Sequence, residues 1–288
     1  MFEESFNKFK RSKFSSQTPT MSPFLLLGGL GLFWSYKNIL LNPISFIKTV
    51  AFEDSSIPIL EPQKVQKNSI LFDYRDFLSC NKFSLSRFDL LNVKRMHCEE
   101  LLFYLAHYYE LICVSDGIPL ISDLDLKELD PLGCISYKIF INNKKDLKPE
   151  NLNRNLNDLT VISTSPSEFH SCFDKNILIL PKFRGEKDDR LLDLVHFFTN
   201  LHFSKVTDVR SVLQSYKNCD FFKSFKNIQE RLFNQRNLFT FENFHQKLEH
   251  INQKKIDDYR QVKAKFYKPE SLNMLKESAV RFMRSVFL

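Results

Sequence analysis

Several things are missing from this 288-residue chain, and each absence excludes something. The six cysteines (Cys80, Cys98, Cys113, Cys134, Cys172 and Cys219) include no CxxC pair, and no histidine stands at zinc-ligand spacing from two of them. That argues against a zinc module and reads as free core thiols, with a disulfide left open. Basic charge is missing from the middle: residues 69–217 carry a net −2, whereas residues 1–42 carry +3 and residues 218–288 carry +6. A nucleic-acid binder more often has a basic folded domain, so no nucleic-acid partner is expected. Charge of either sign is missing from Phe14 to Tyr36. Glycine is scarce at six residues beside thirty phenylalanines, a usage from which no function is read.

The uncharged stretch holds "SPFLLLGGLGLFWSY" (22–36), extended by "ILL" at 39–41. It approaches the roughly 20 apolar residues of a membrane-spanning helix. Trp34 and Tyr36 suit the interfacial belt, and Lys8, Lys10, Arg11 and Lys13 place the N-terminus on the inner side. A cleaved signal peptide and a buried helix are the competing readings, although no small-residue cleavage site follows. The expected organisation is an inner-side segment (1–20), a single-pass transmembrane helix (21–42), a polar linker (43–67), a folded domain (68–217) and a basic helical tail (218–288).

Within the folded part, strand and helix patterns alternate. "SILFDY" (69–74), "ELICVS" (110–115), "LTVIST" (159–164) and "NILILP" (176–181) read as buried strands. "CEELLFYLAHYY" (98–109), "LISDLDLKEL" (120–129) and "DDRLLDLVHFFTNLHF" (188–203) read as helices. "ISYKIFINNKKDL" (135–147) alternates, breaks at Asn142-Asn143, and suggests a hairpin. The alternation predicts an α/β fold with a mostly parallel sheet flanked by helices, and ligands at the strand C-terminal ends.

A series of short stretches then follows in a distinctive order: "FDYRDFL" (72–78), Lys94-Arg95, "YLAHYYELICVS" (104–115), "KELDP" (127–131), "SYKIF" (136–140), "LNRNL" (152–156), "GEKDDRLLDL" (185–194) and "TDVRSVLQSY" (207–216). Together they resemble the haloacid-dehalogenase-like domain of phosphatases acting on the RNA polymerase C-terminal domain. They resemble still more closely the presequence receptors of the mitochondrial inner-membrane translocase, of the Tim-fifty type. The resemblance covers about 150 residues. It departs from the family's fuller Lys-Arg-Pro-Gly wording at Met96-His97 and does not extend past residue 218.

Phosphatases of that fold use two aspartates spaced i, i+2: one attacks phosphorus and the other is the general acid/base. Here Asp73 matches the nucleophile, but Arg75 stands where the acid/base belongs. Ser115 matches the phosphate-binding hydroxyl. Ser163 and Ser165 stand where metal-holding acids are expected, while Lys145 and Lys148 lie near the usual basic position. If Asp73 and Arg75 share one face of a strand, the guanidinium neutralises the carboxylate and repels a divalent cation. No metal, cofactor or catalytic residue is therefore expected, and Asp73, Arg75, Ser115, Ser163 and Ser165 read as vestigial.

The resemblance implies a receptor in the intermembrane space that takes precursor proteins with basic amphipathic presequences and passes them to the import channel subunit. Tyr137, Lys138, Phe140, Asn142 and Lys144 on the expected hairpin would meet the channel. Glu186, Asp188, Asp189 and Asp193 would meet the presequence, and Asp123, Asp125, Glu128 and Asp130 form a second acidic group. An active membrane-anchored phosphatase, or a membrane-tethered adaptor outside mitochondria, is the alternative.

Overall fold

The computed structural model describes residues 57, 59–84, 89–165, 167–235 and 241–267. The expected inner-side segment (1–20) and transmembrane helix (21–42) lie outside these residues. Among the described residues no helix is long and apolar enough to cross a membrane.

Five parallel strands form the central sheet: β1 (Asn68–Phe72), β4 (Tyr109–Ser115), β5 (Tyr137–Phe140), β6 (Leu159–Ser163) and β7 (Ile177–Ile179), in the order β5-β4-β1-β6-β7. β1, β4 and β6 are almost wholly buried. Continuous apolar runs such as Ile70-Leu71-Phe72 suit them to a parallel sheet covered on both faces. The chain runs outward from β1 to β4 and β5, then returns to build β6 and β7 on the other side. That reversal leaves a crevice at the carboxyl end of β1, where ligands of such sheets settle.

Helices pack on both faces. On one face lie α1 (Cys98–Tyr108) and α4 (Arg190–Phe203), and Tyr109 donates its hydroxyl to the carbonyl of Phe198 at 2.8 Å. α2 (Pro119–Leu129) follows β4, with Pro119 opening its first turn. α3 (Pro149–Leu152) and α5 (Val209–Ser215) are short, and Asp208 caps α5 at the Arg210 N–H. On the other face, Leu71, Val114, Val161, Phe169 and Phe173 form a second core.

Two expectations are corrected. Residues 135–147 form no hairpin: β5 runs parallel beside β4, and a 3₁₀ turn, Lys144–Asp146, follows. Asn143 accepts the Lys145 N–H through its side chain, so it caps that turn instead of making a hairpin loop. The hairpin that does exist is antiparallel, β2 (Ser79–Ser84) with β3 (Asp89–Lys94). Second, the fold does not stop at 217. α6 (Phe221–Gln235) and α7 (Phe241–Phe266) follow. Phe221 packs edge-on against Phe197 at 5.0 Å and stacks on Phe225, inside the same core as α1 and α4.

The thiols divide: Cys80, Cys98, Cys113 and Cys134 are buried, whereas Cys172 and Cys219 are exposed, and none of the six is in a disulfide. The linker's last residues are fastened at the amino end of the sheet. Arg154, almost fully buried, forks onto Glu110 at 2.6 and 2.9 Å and donates to the carbonyl of Glu61 at 2.7 Å. Gln63 reaches Glu110 at 2.8 Å and Ser69 at 3.0 Å.

Replacing Phe221 tests whether the segment beyond 217 belongs to the core. Phe221→Ala should lower the unfolding free energy by about 3 kcal/mol or more, measured by denaturant titration. A tail that merely trails from the domain would give almost no change.

Candidate functional site

At the carboxyl end of β1 the chain leaves the sheet at Asp73 and turns sharply through Asp76, which has a positive φ of 59°. Asp73 and Arg75 therefore sit in the loop after the strand and do not share a strand face. They meet all the same. Asp73 Oδ1 accepts the Arg75 backbone N–H at 3.0 Å, and Oδ2 accepts the Arg75 guanidinium at 3.1 Å. The loop is held by Tyr74, whose carbonyl accepts Leu78 N–H at 2.8 Å and Ser79 N–H at 3.1 Å. The Tyr74 hydroxyl is anchored on Asp125 at 3.0 Å.

A second cation reaches the same carboxylate. Lys144 Nζ lies 2.6 Å from Asp73 Oδ2, with Lys144 itself nearly buried. The sequence pattern puts Lys144 on a hairpin and Lys145 and Lys148 near the basic position. The 3₁₀ turn after β5 corrects both, because it swings Lys144 inward and leaves Lys145 outside. Arg75 also pairs with Asp116, next to the end of β4. Burial works against the charge of Arg75, but Asp73, with Tyr74 and Cys113 behind it, outweighs that and holds the guanidinium above its ordinary range.

These groups line a cleft of about 350 Å³ with Asp76, Ser79, Cys80, Asn81 and Glu168. Ser115 is fully buried behind it, accepting the Gly117 N–H and lying 3.1 Å from the Ser122 hydroxyl. A Cβ at Gly117 would stand 2.5 Å from the Ser122 oxygen, so a larger residue here would displace that hydroxyl. Ser163, at the end of β6, and Thr164 hydrogen-bond to Glu168 at 2.6 and 3.2 Å. Ser165 directs its hydroxyl to Ser167 at 3.3 Å. Asp116 and Glu168 were not found from the sequence. Asp116 follows a matched serine, and Glu168 is brought back only by the loop after β6.

The cleft does not fit a magnesium ion. Both oxygens of Asp73 accept N–H donors, two of them on the cationic side chains of Arg75 and Lys144. Asp116 is engaged by Arg75, and Glu168 by hydroxyls. A hard divalent cation needs carboxylate oxygens free of such partners. Among the described residues no three His, Cys, Asp or Glu side chains converge as ligands.

The remaining sequence candidates scatter. Tyr137 lies under the Arg154 guanidinium at 5.5 Å, Lys138 pairs with Asp123 at 2.9 Å, Phe140 packs on the core, and Asn142 is exposed. Glu186 is exposed and accepts the Arg184 N–H. Asp188 is engaged inside the fold, holding the buried Arg95 guanidinium at 2.9 and 3.1 Å. Asp189 begins α4 and meets His97 at 3.2 Å. Asp193 is half-buried on α4, where burial pushes its carboxyl up to about 6 against the pull of Lys226. Asp130 is buried and accepts the N–H groups of Cys134 and Ile135.

With this geometry in place, comparison with known proteins is decisive for the family. Residues 62–210 match the NLI interacting factor-like phosphatase family. The chain belongs to that family. Curated relatives include the mitochondrial import inner membrane translocase subunit tim50 of Neurospora crassa, 27% identical over 66% of this chain and 36% of that protein. The subunit of the same name in Kluyveromyces lactis is 32% identical over 43% of this chain and 27% of its own. That of Emericella nidulans is 30% identical over 65% and 37%. The chain thus spans only about a third of the length of these relatives. A fission yeast RNA polymerase II CTD phosphatase, Fcp1, aligns over 69% of this chain and 66% of its own, with 12% identity and a TM-score of 0.33.

Two measurements test the site. Millimolar Mg²⁺ should leave the melting temperature where an ionic-strength-matched monovalent salt leaves it, because a ligand of the native state would raise it. A rise specific to Mg²⁺ and abolished in Asp73→Asn would contradict the fit argued above. For Asp193, a raised native value means that the folded state holds the proton longer. Folding is then penalised as pH climbs from about 4 to 6, and fully above that. Asp193→Asn should raise the melting temperature by a few degrees at pH 7.5 and by much less at pH 4.

Proposed function

We propose that this chain is a catalytically inactive, phosphatase-like receptor subunit of a mitochondrial inner-membrane presequence translocase. Residues 21–42 anchor it as a single-pass protein, and the domain from 68 onward stands in the intermembrane space. There it binds precursor proteins through their basic amphipathic presequences and passes them to the import channel subunit. The observation that carries the inactive reading is the pair of cations on Asp73, Arg75 at 3.1 Å and Lys144 at 2.6 Å. An attacking carboxylate needs a free oxygen, and Arg75 cannot take a proton at neutral pH. The translocase names of the relatives support the assignment to import.

The acidic balance of residues 69–217 suits a basic ligand. Of the candidate acids, Glu186 and Asp189 are exposed enough to meet one, with Asp193 beside them. Asp188 has its own partner in Arg95 and is better read as a structural group.

The full chain in detergent should bind a fluorescent basic amphipathic peptide at low salt and lose affinity as salt rises, because the Debye length shortens to about 8 Å near physiological ionic strength. It should not hydrolyse p-nitrophenyl phosphate with or without Mg²⁺. Binding no stronger than that of a scrambled-helix control would sink the receptor reading. Turnover lost in Asp73→Asn would sink the inactive one.

A further inference from the structure

Helix α7 lies across α1 and α4, and the way it is held resembles a ligand in a site. Its inward stripe is Asn252, Lys255, Ile256, Tyr259, Val262 and Lys263, the spacing of an amphipathic helix. The surface beneath is aromatic and holds one carboxylate, Glu99. Phe103 meets the Tyr259 ring at 5.5 Å, and Tyr104 donates to the Lys255 carbonyl at 3.1 Å while Lys255 Nζ lies over its ring. Glu99, half-buried on α1, accepts Lys263 at 2.7 Å and also the Tyr259 hydroxyl and Lys94. Burial raises the Glu99 carboxyl, but those three donors outweigh it and leave it below the ordinary range. From α4, His196 meets Asn252 at 2.6 Å.

The occupant is weakly seated. Of residues 246–266 in this helix only Ile256 and Tyr259 are buried, whereas the 14-residue α4 buries seven. Segments with few buried apolar contacts open at low free-energy cost. Two groups in the seam also sit against their charge. Burial lowers Lys255 to about 8, and burial with the neighbouring Lys255 lowers His196 to about 4. α7 is itself a basic amphipathic helix, with six Lys and Arg against four Asp and Glu.

We propose that α7 is a displaceable internal stand-in: a basic amphipathic helix from another chain takes the α1–α4 groove by displacing it, with Glu99 answering a lysine or arginine of the newcomer. This rests on the receptor reading above and supplies its groove. The groove is covered in the free protein, so apparent affinity is reduced by the fraction of molecules in which α7 is docked. Releasing α7 removes that factor.

The test uses the full chain in detergent and a fluorescein-labelled basic amphipathic peptide, with a scrambled peptide of equal charge as control. Ile256→Asp, which unseats α7 without touching α1 or α4, should bind the peptide about tenfold more tightly than the wild type. In the wild type, saturating peptide should speed backbone hydrogen exchange in 249–266. Unchanged or weaker binding by Ile256→Asp overturns the proposal. So does exchange in 249–266 that stays the same or slows when the peptide binds, and this second reading holds even if the variant folds poorly. If the peptide binds the wild type without loosening α7, the stand-in falls and the receptor reading survives. If it binds neither protein above the control, both fall.

Discussion

One carboxylate, Asp73, is caught between two cations, and the surrounding site is arranged about that contact. A lone anion buried at the carboxyl end of a parallel sheet would cost several kcal/mol in desolvation unless paired. Arg75 answers it from the same loop, and Lys144 answers it from the turn after β5. Arg75 then brings in Asp116, which keeps the loop after β4 close. In that loop, a Cβ at Gly117 would meet the Ser122 oxygen of α2 at 2.5 Å. The protein's own cations thus close the circuit about that carboxylate.

The stretches that mark the family are, in this molecule, mostly fasteners. Arg95 of the Lys94-Arg95 pair forks onto Asp188 and caps the Phe77 carbonyl, tying the hairpin to the start of α4. Arg154 forks onto Glu110, Asp130 receives two backbone N–H groups, and Asp208 caps α5. Arg95 and Arg154 find their partners far along the chain, whereas Asp130 and Asp208 are satisfied within a few residues. Removing one partner of such a pair strands the other.

Much of the frame was readable before folding. β1, β4, β6 and β7 are short apolar runs bounded by polar breaks, and α1 and α4 carry clear helical stripes. The hairpin β2–β3 was not readable, because "SCNKFS" and "DLLNVK" neither alternate strictly nor flank a two-residue glycine turn. The turn at Asn142-Asn143 was misread because an asparagine that starts a hairpin and one that caps a 3₁₀ turn look alike in one dimension. Lys144 and Glu168 escaped because each reaches the cleft by a loop whose path depends on tertiary packing. α6 and α7 were legible as helices. Their seats were not, since Phe221 and Tyr259 find Phe197 and Phe103 across long stretches of sequence.

The fastening of residues 60–63 to Arg154 and Asn151 carries a mechanical meaning. Whatever precedes residue 57 joins the domain at the foot of β1, while the cleft opens at its head, about 16 Å away for five residues of strand. A pull along the leading segment is therefore taken up at the base by a forked guanidinium and a ring of carbonyls. The mouth at the far end is left unloaded and turned away from the mooring.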